Sequence, residues 1–180
     1  MVVMINGSFG VGKTTVAASL RQMLPKSVIY DPEWAGFVLK RAPGWITLRG
    51  AGSDDYQDLD LWRRSVIAGV RAFRYFASGP VIVPMAFSRR DYFDEVRCGI
   101  ERFDPLLRVF CLRASLKTIQ SRLAARDLGV EGREAQWIAR RARECVDAHR
   151  DPHFGEPVDT EGRSPFEIAG DIVERLHHER

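Results

Sequence analysis

Val2-Val3-Met4-Ile5-Asn6-Gly7-Ser8-Phe9-Gly10-Val11-Gly12-Lys13-Thr14-Thr15-Val16-Ala17 decides the fold. Gly7 to Thr14 is a full match to G-x-x-x-x-G-K-[ST], a Walker A phosphate loop. The glycines let backbone N–H groups turn toward an anion. Lys13 brings a mobile positive charge to the β/γ-phosphates, and the Thr14 hydroxyl is a ligand type for Mg2+. The apolar run 2–5 before the loop reads as a buried strand, and 13–24 after it reads as a helix stopped by Pro25. Strand, loop and helix in that order aim a helix N-terminus at the phosphates. The complete motif in that context argues against a chance glycine-rich turn. Gly7, Ser8, Phe9, Gly10, Val11, Gly12, Lys13, Thr14 and Thr15 are the expected phosphate-binding residues, with Thr14 as metal ligand. The sequon Asn6-Gly7-Ser8 is not read as a glycosylation site, because its residues are committed to the loop.

Working outward, short apolar runs alternate with longer amphipathic segments, an α/β pattern. Strands are expected at 2–5, 27–30, 81–83, 107–112 and 157–159. Their apolar character suits a parallel sheet covered on both faces. Helices are expected at 13–24, 33–40, 56–76, 91–103, 115–126 and 133–150, with a last one opened by Ser164-Pro165 and capped through Glu167. In 56–76 the apolar residues Leu59, Trp62, Val66, Val70 and Phe73 fall at helical spacing. Ser115 is the expected N-cap of its helix. Gly44 to Asp55 reads as a mobile glycine-rich loop. Leu128-Gly129-Val130-Glu131-Gly132 reads as a hinge-like insert between two arginine-rich helices. No internal repeat or interdomain linker interrupts residues 1–180, so one domain is expected.

Composition is that of an ordinary globular protein: 45% hydrophobic, 28% charged, net charge +3 over 180 residues. That charge is too small to argue for nucleic acid or a membrane surface. No aromatic-basic platform for nucleic acid is visible. Cys98, Cys111 and Cys145 are odd in number and lack C-x-x-C spacing, which fits reduced thiols in a cytoplasmic protein. No apolar run approaches the ~20 residues of a membrane span. The first apolar stretch runs straight into the loop, unlike a signal peptide. His149 and His153 show no metal-ligand pattern and receive no role.

The second expected strand ends in Tyr30-Asp31-Pro32-Glu33. Ligands of open α/β sheets sit beyond the strand carboxyl ends. Asp31 is therefore placed to accept a hydroxyl proton or hold a metal-bound water, or else simply to cap the next helix. Glu33 has the same two readings. Arg122 and Arg126 lie one helical turn apart, and Arg140, Arg141 and Arg143 follow beyond the insert. Guanidinium forks neutralise the charge spread over a transferring phosphoryl group. A lid around 127–140 carrying such arginines would also exclude water. The other reading is a solvated helix face paired with Glu134 and Glu144. Val81-Ile82-Val83 runs into apolar Pro84-Met85, where many phosphate-loop enzymes carry a carboxylate for Mg2+. Met85, Trp34 and Phe37 are candidates for an apolar acceptor pocket or for plain core. Arg63 is a candidate anion contact.

The loop, Tyr30-Asp31-Pro32-Glu33 with Gly36-Phe37, Leu61-Trp62-Arg63, Ile82-Val83-Pro84-Met85 and Arg122-Leu123 with Arg126 together resemble the tunicamycin-resistance ATP-binding proteins. More broadly the layout resembles nucleoside-monophosphate, shikimate and gluconate kinases. The resemblance covers most of the chain. It implies a three-layer fold with a five-stranded parallel sheet in order 2-3-1-4-5, ATP with Mg2+, and resistance to a nucleoside antibiotic. It also implies that Arg122 stacks on adenine and Arg126 reaches the phosphates. Lys13, Asp31 and Arg126 would then be catalytic, and Asp31, Glu33, Trp34, Phe37, Arg63 and Met85 would form the acceptor side. Three functions follow as expectations: phosphorylation of tunicamycin or a related small molecule, ATP-dependent sequestration of the drug without chemistry, or a kinase for a nucleotide or sugar metabolite. The residues leave the acceptor and the oligomeric state open.

Overall fold

The computed structural model describes residues 1–32, 56–125 and 132–178. Five strands form one parallel sheet: β1 (Val2–Gly7), β2 (Val28–Ile29), β3 (Val81–Met85), β4 (Arg108–Arg113) and β5 (Glu156–Asp159). Their order is β2-β3-β1-β4-β5, as the resemblance implies. Six helices are described: α1 (Lys13–Met23), α2 (Asp60–Phe76), α3 (Arg90–Glu101), α4 (Leu116–Ala125), α5 (Arg133–Ala148) and α6 (Pro165–His178). The expected helix 33–40, the loop 44–55 and most of the insert lie outside the described residues.

β1 is central, and each of its residues is buried. Its alternate residues feed two separate cores. Val3 and Ile5 pack with Val16, Leu20, Ile168 and Ile172 of α1 and α6. Val2 and Met4 pack with Trp62, Val66, Phe93 and Val96 of α2 and α3. Burying each such aliphatic side chain contributes about 1.5–3 kcal/mol. The apolar period of α2 is therefore core-facing at Trp62, Val66 and Val70.

β3 runs two residues further than expected because β1 pairs with it through Met85, while β2 loses one residue at each end, the loss at its carboxyl end being set by Pro84. Val28 and Tyr30 donate their N–H groups to the carbonyls of Pro80 and Ile82, so even-numbered β3 residues face β2. Pro84 follows in that series and has no N–H to offer. β2 pairs only as far as Ile29, opposite Ile82. On its other side Pro84 lies level with Ile5 in an intact ladder. The proline is thus accommodated where its missing donor has no strand partner.

Capping agrees with the expectation. The Ser115 hydroxyl accepts from Thr118 N–H at 3.1 Å. Ser164 and Glu167 form a reciprocal capping box, Glu167 N–H donating to Ser164 Oγ and Ser164 N–H to Glu167 Oε2.

Past Ile29 the chain is fixed by Tyr30. Its ring lies against Phe73 with centroids 4.9 Å apart. A Cβ on Gly69 of α2 would stand 2.1 Å from the Tyr30 hydroxyl oxygen, so only a glycine admits the ring. Gly69→Ala is expected to lower unfolding free energy in urea by about 1–3 kcal/mol through this overpacking. The matched control Gly170→Ala on α6, where a Cβ meets nothing within 4 Å, is expected to be neutral or stabilising. Equal effects of the two substitutions would count against the wedge.

Candidate active site

The phosphate loop leaves β1 at Gly7 and enters α1 at Lys13. Gly12 is the N-cap, with φ 109° and no side-chain capping bond, and the first turn of α1 holds no acidic residue. That φ is strained for any L side chain, which accounts for the glycine. Most helices satisfy their first N–H groups with a capping side chain. α1 starts with neither a capping side chain nor an acidic residue in its first turn, which leaves its first N–H groups available to an anion, and the loop fits a nucleotide's phosphates on that observation. The Lys13 ammonium is buried inside the curve, donating to the Gly7 and Ser8 carbonyls at 3.0 Å each. Thr14 and Thr15 lie exposed on the first turn. The Thr14 hydroxyl is a suitable ligand for a magnesium ion, and among the described residues no cluster of three or more acidic, histidine or cysteine side chains offers another metal site.

Phe9 stacks edge-on against Trp137 of α5, with centroids 5.7 Å apart. Ser8 Oγ donates to the Ala142 carbonyl of the same helix at 3.1 Å. On the other flank Arg122 of α4 holds the loop: Nη1 donates to the Val11 carbonyl at 2.9 Å, and Nη2 to the Thr160 carbonyl at 2.9 Å. Nη1 also reaches the Thr160 hydroxyl at 3.1 Å. The edge of this guanidinium is thus committed to the loop and to the turn after β5. Contact with a base would have to come from its planar face.

Among the three arginines of α5 the structure separates the roles. Arg141 is buried and donates to Ser88 Oγ at 3.0 Å, beyond the end of β3, and to Glu144 at 2.8 Å. Arg140 is exposed, with Glu144 3.8 Å away. Arg143 lines the groove between α4 and α5. Asp31 follows closely on β2 at the carboxyl edge of the sheet, partly buried and engaged with other groups.

Two candidates sit differently from an open acceptor pocket. Met85 is fully buried in the core with Trp62, Phe87 and Phe93. Arg63 is buried as well, pairing with Glu95, donating to the Gln57 carbonyl at 2.7 Å and stacking 4.2 Å from the Tyr92 ring. It braces α2 against α3. Glu33, Trp34, Phe37 and Arg126, and the first part of the lid segment, lie outside the described residues.

Sequence reasoning missed Asn6 and His149. Asn6, fully buried, accepts from Phe87 N–H at 2.9 Å and donates to the Phe87 and Phe154 carbonyls at 3.3 and 3.4 Å. His149 Nε2 lies 2.7 Å from the Phe87 carbonyl and 3.5 Å from the Asn6 amide. Burial pushes the His149 pKa down to about 4, against the pull of the Phe87 carbonyl, with the charges of Lys13, Arg113 and Arg141 lowering it further. The signal was the spacing Arg141, Cys145, His149, which puts all three on one face of α5. Cys145 and Cys111 are raised by burial, Cys111 to about 11, so neither thiol is a nucleophile at neutral pH.

His149 folds neutral and unfolds to an ordinary imidazole. The unfolded chain therefore takes up a proton below pH 6.5 that the native protein refuses until about pH 4, and stability falls across that window. Urea unfolding should show a loss of about 2 kcal/mol from this group between pH 7 and 5. His149→Gln should abolish that component. An unchanged pH slope in the variant would remove His149 as its source.

The solved structure of a Deinococcus radiodurans tunicamycin resistance protein aligns with a TM-score of 0.71 at 25% identity, covering 97% of this chain and 94% of that one. A gluconokinase from Sinorhizobium meliloti 1021 aligns at 0.64 and 18% identity, covering 98% and 91%. A shikimate kinase from Acinetobacter baumannii aligns at 0.59 and 13%, over 99% of this chain and 94% of that one. The latter two establish the shared kinase-like fold alone. No curated protein matches the chain. A family model described as an AAA domain matches residues 2–145, so the chain, with its phosphate loop on a kinase-like fold, belongs to that nucleotide-binding family.

Proposed function

We propose that the protein is an ATP-dependent phosphotransferase acting on a hydroxyl of tunicamycin or a related nucleoside or sugar. The observation that carries the reading is the phosphate loop itself, with α1 starting uncapped at Gly12 and the Lys13 ammonium buried inside the curve. Buried Arg141 of α5 adds a second cation near the end of β3, where it bonds Ser88. Positive charge fixed in place before a phosphoryl group arrives lowers the barrier to its transfer without reorganisation. The loop amides and Lys13 orient the phosphate chain. Asp31 accepts the proton of the acceptor hydroxyl as its oxygen bonds to phosphorus and the bond to the departing diphosphate breaks. Arg126 and Arg141 meet the equatorial charge, and Arg122 meets the base. Magnesium, held at Thr14, would supply charge neutralisation between the phosphates. The drug as acceptor rests on the likeness to the Deinococcus protein.

A second reading is ATP-dependent sequestration of the drug. It is favoured by the end of β3, where Met85, Ala86 and Phe87 are wholly buried and no carboxylate stands. Among the described residues no helix is long and apolar enough to cross a membrane, and neither reading requires one.

Mass spectrometry of tunicamycin incubated with the protein, ATP and Mg2+ separates the two. The kinase reading expects a phosphate mass gain that Lys13→Ala abolishes, with Asp31→Asn and Arg141→Ala each slowing turnover by about 100-fold or more. An unaltered drug that co-purifies with the ATP-loaded protein one to one would replace it with sequestration. Full turnover in Asp31→Asn would withdraw the base assignment.

A further inference from the structure

We propose a second ligand site, for a small organic anion, in the groove between α4 and α5 behind the phosphate loop. The cavity there measures about 540 Å3, of the size that takes a small molecule. From the loop only Ser8 lines it; none of Gly10 to Thr15 does, so it is distinct from the phosphate-facing side. Its lining includes three arginines, Arg113, Arg143 and Arg150, against one acidic residue, Asp147.

These cations are unevenly satisfied. Arg150 lies 3.5 Å from Asp147, both well exposed, a weak pair. Arg113 bonds the Cys111 thiol, and its Nη2 makes one long bond, 3.4 Å, to the Asp151 carbonyl, while its Nε is buried without a hydrogen-bond partner. A buried guanidinium N–H left unpaired is costly and rare. Arg143 has no acidic partner within ion-pair distance among the described residues. His149 at the inner wall is neutral and adds no charge. The rest of the lining is mainly aliphatic, with Leu112, Ile119 and Val146, beside Ser8 and Ser115. A phosphate or carboxylate on a small apolar body meets both requirements: its oxygens pair with Arg113 and Arg143 as a fork accepts a fork, and its body covers the aliphatic wall.

The site is wired to the loop. Ser8 lines the groove, donates to the Ala142 carbonyl of α5 and, through its own carbonyl, accepts the Lys13 ammonium. A ligand that shifts α5 against Ser8 therefore alters the bond that holds Lys13. This coupling rests on the nucleotide reading; the binding site does not. By linkage, ligand and nucleotide must change each other's affinity by the same factor.

Phenyl phosphate is the probe, titrated calorimetrically into protein saturated with ADP and Mg2+, so that the loop is already filled. We expect saturable one-site binding, weakened at least tenfold by Arg143→Glu and by Arg113→Lys. Arg143 is exposed, so its variant should fold, which circular dichroism checks in the same sample. Binding of ADP to the free protein should shift on adding phenyl phosphate, by the factor seen in the reverse titration. Loss of probe binding once ADP is present, no saturable binding at millimolar concentration, or indifference to Arg143→Glu would each overturn the site. Failure of ADP to bind at all would instead defeat the nucleotide reading, and the arginine dependence of the probe would still decide the groove.

Discussion

A primary amide at the end of a buried strand holds the carboxyl edge of this sheet together. Asn6 is the last β1 side chain before the phosphate loop, and it is fully buried where its neighbours are aliphatic. Its oxygen accepts from Phe87 and its nitrogen faces the carbonyls of Phe87 and Phe154. A buried amide of this kind is tolerated only when its donors and acceptor all find partners. Here the partners are the segments after β3 and α5. The chain beyond β3, which brings Ser88 to Arg141, is thereby fixed relative to the loop that carries Lys13. His149, neutral because it is buried, completes the same cluster without adding charge to it.

The loop is held in turn by groups that never need to touch a ligand through the same atoms. Arg122 binds the Val11 carbonyl and the turn at Thr160, and Ser8 binds α5. Lys13 meanwhile rests on two carbonyls of its own loop. An ammonium has three N–H donors, so an incoming phosphate can take the third, and its full negative charge makes that bond the strongest of the three. The uncapped start of α1 leaves its first N–H groups available as well.

Much of this was legible in the sequence. The loop motif, the apolar runs and their order pointed to the strand–loop–helix and the parallel sheet, because local pattern and burial agree there. The caps at Ser115 and Ser164 were legible for the same reason. The extent of β2 and β3 was not, since it depends on which neighbour the nitrogen of Pro84 faces, a tertiary fact. Which of Arg140, Arg141 and Arg143 is buried could not be read from the sequence, because the phase of α5 against β3 decides it. Arg63 and Met85 looked available by position, yet one is tied to Glu95 and the Gln57 carbonyl and the other fills the core. Asn6 was hidden because a polar residue next to a glycine loop reads as part of the loop.

Pro84 and Pro32 together lock the edge of the sheet. The N–H series across β2 and β3 runs from Val28 to the Pro80 carbonyl and from Tyr30 to the Ile82 carbonyl. Continued in the same register, its next two links would need a proton on the nitrogen of residue 84 and then on that of residue 32. Both are imino acids with no such proton. The zip between the two strands thus has a stop fitted on each side, and β2 cannot creep further along its neighbour. Side chains beyond Asp31 can therefore be exchanged without changing how far the sheet closes. Substitutions after Asp31 would then leave the pairing of β2 with β3 where the two prolines set it.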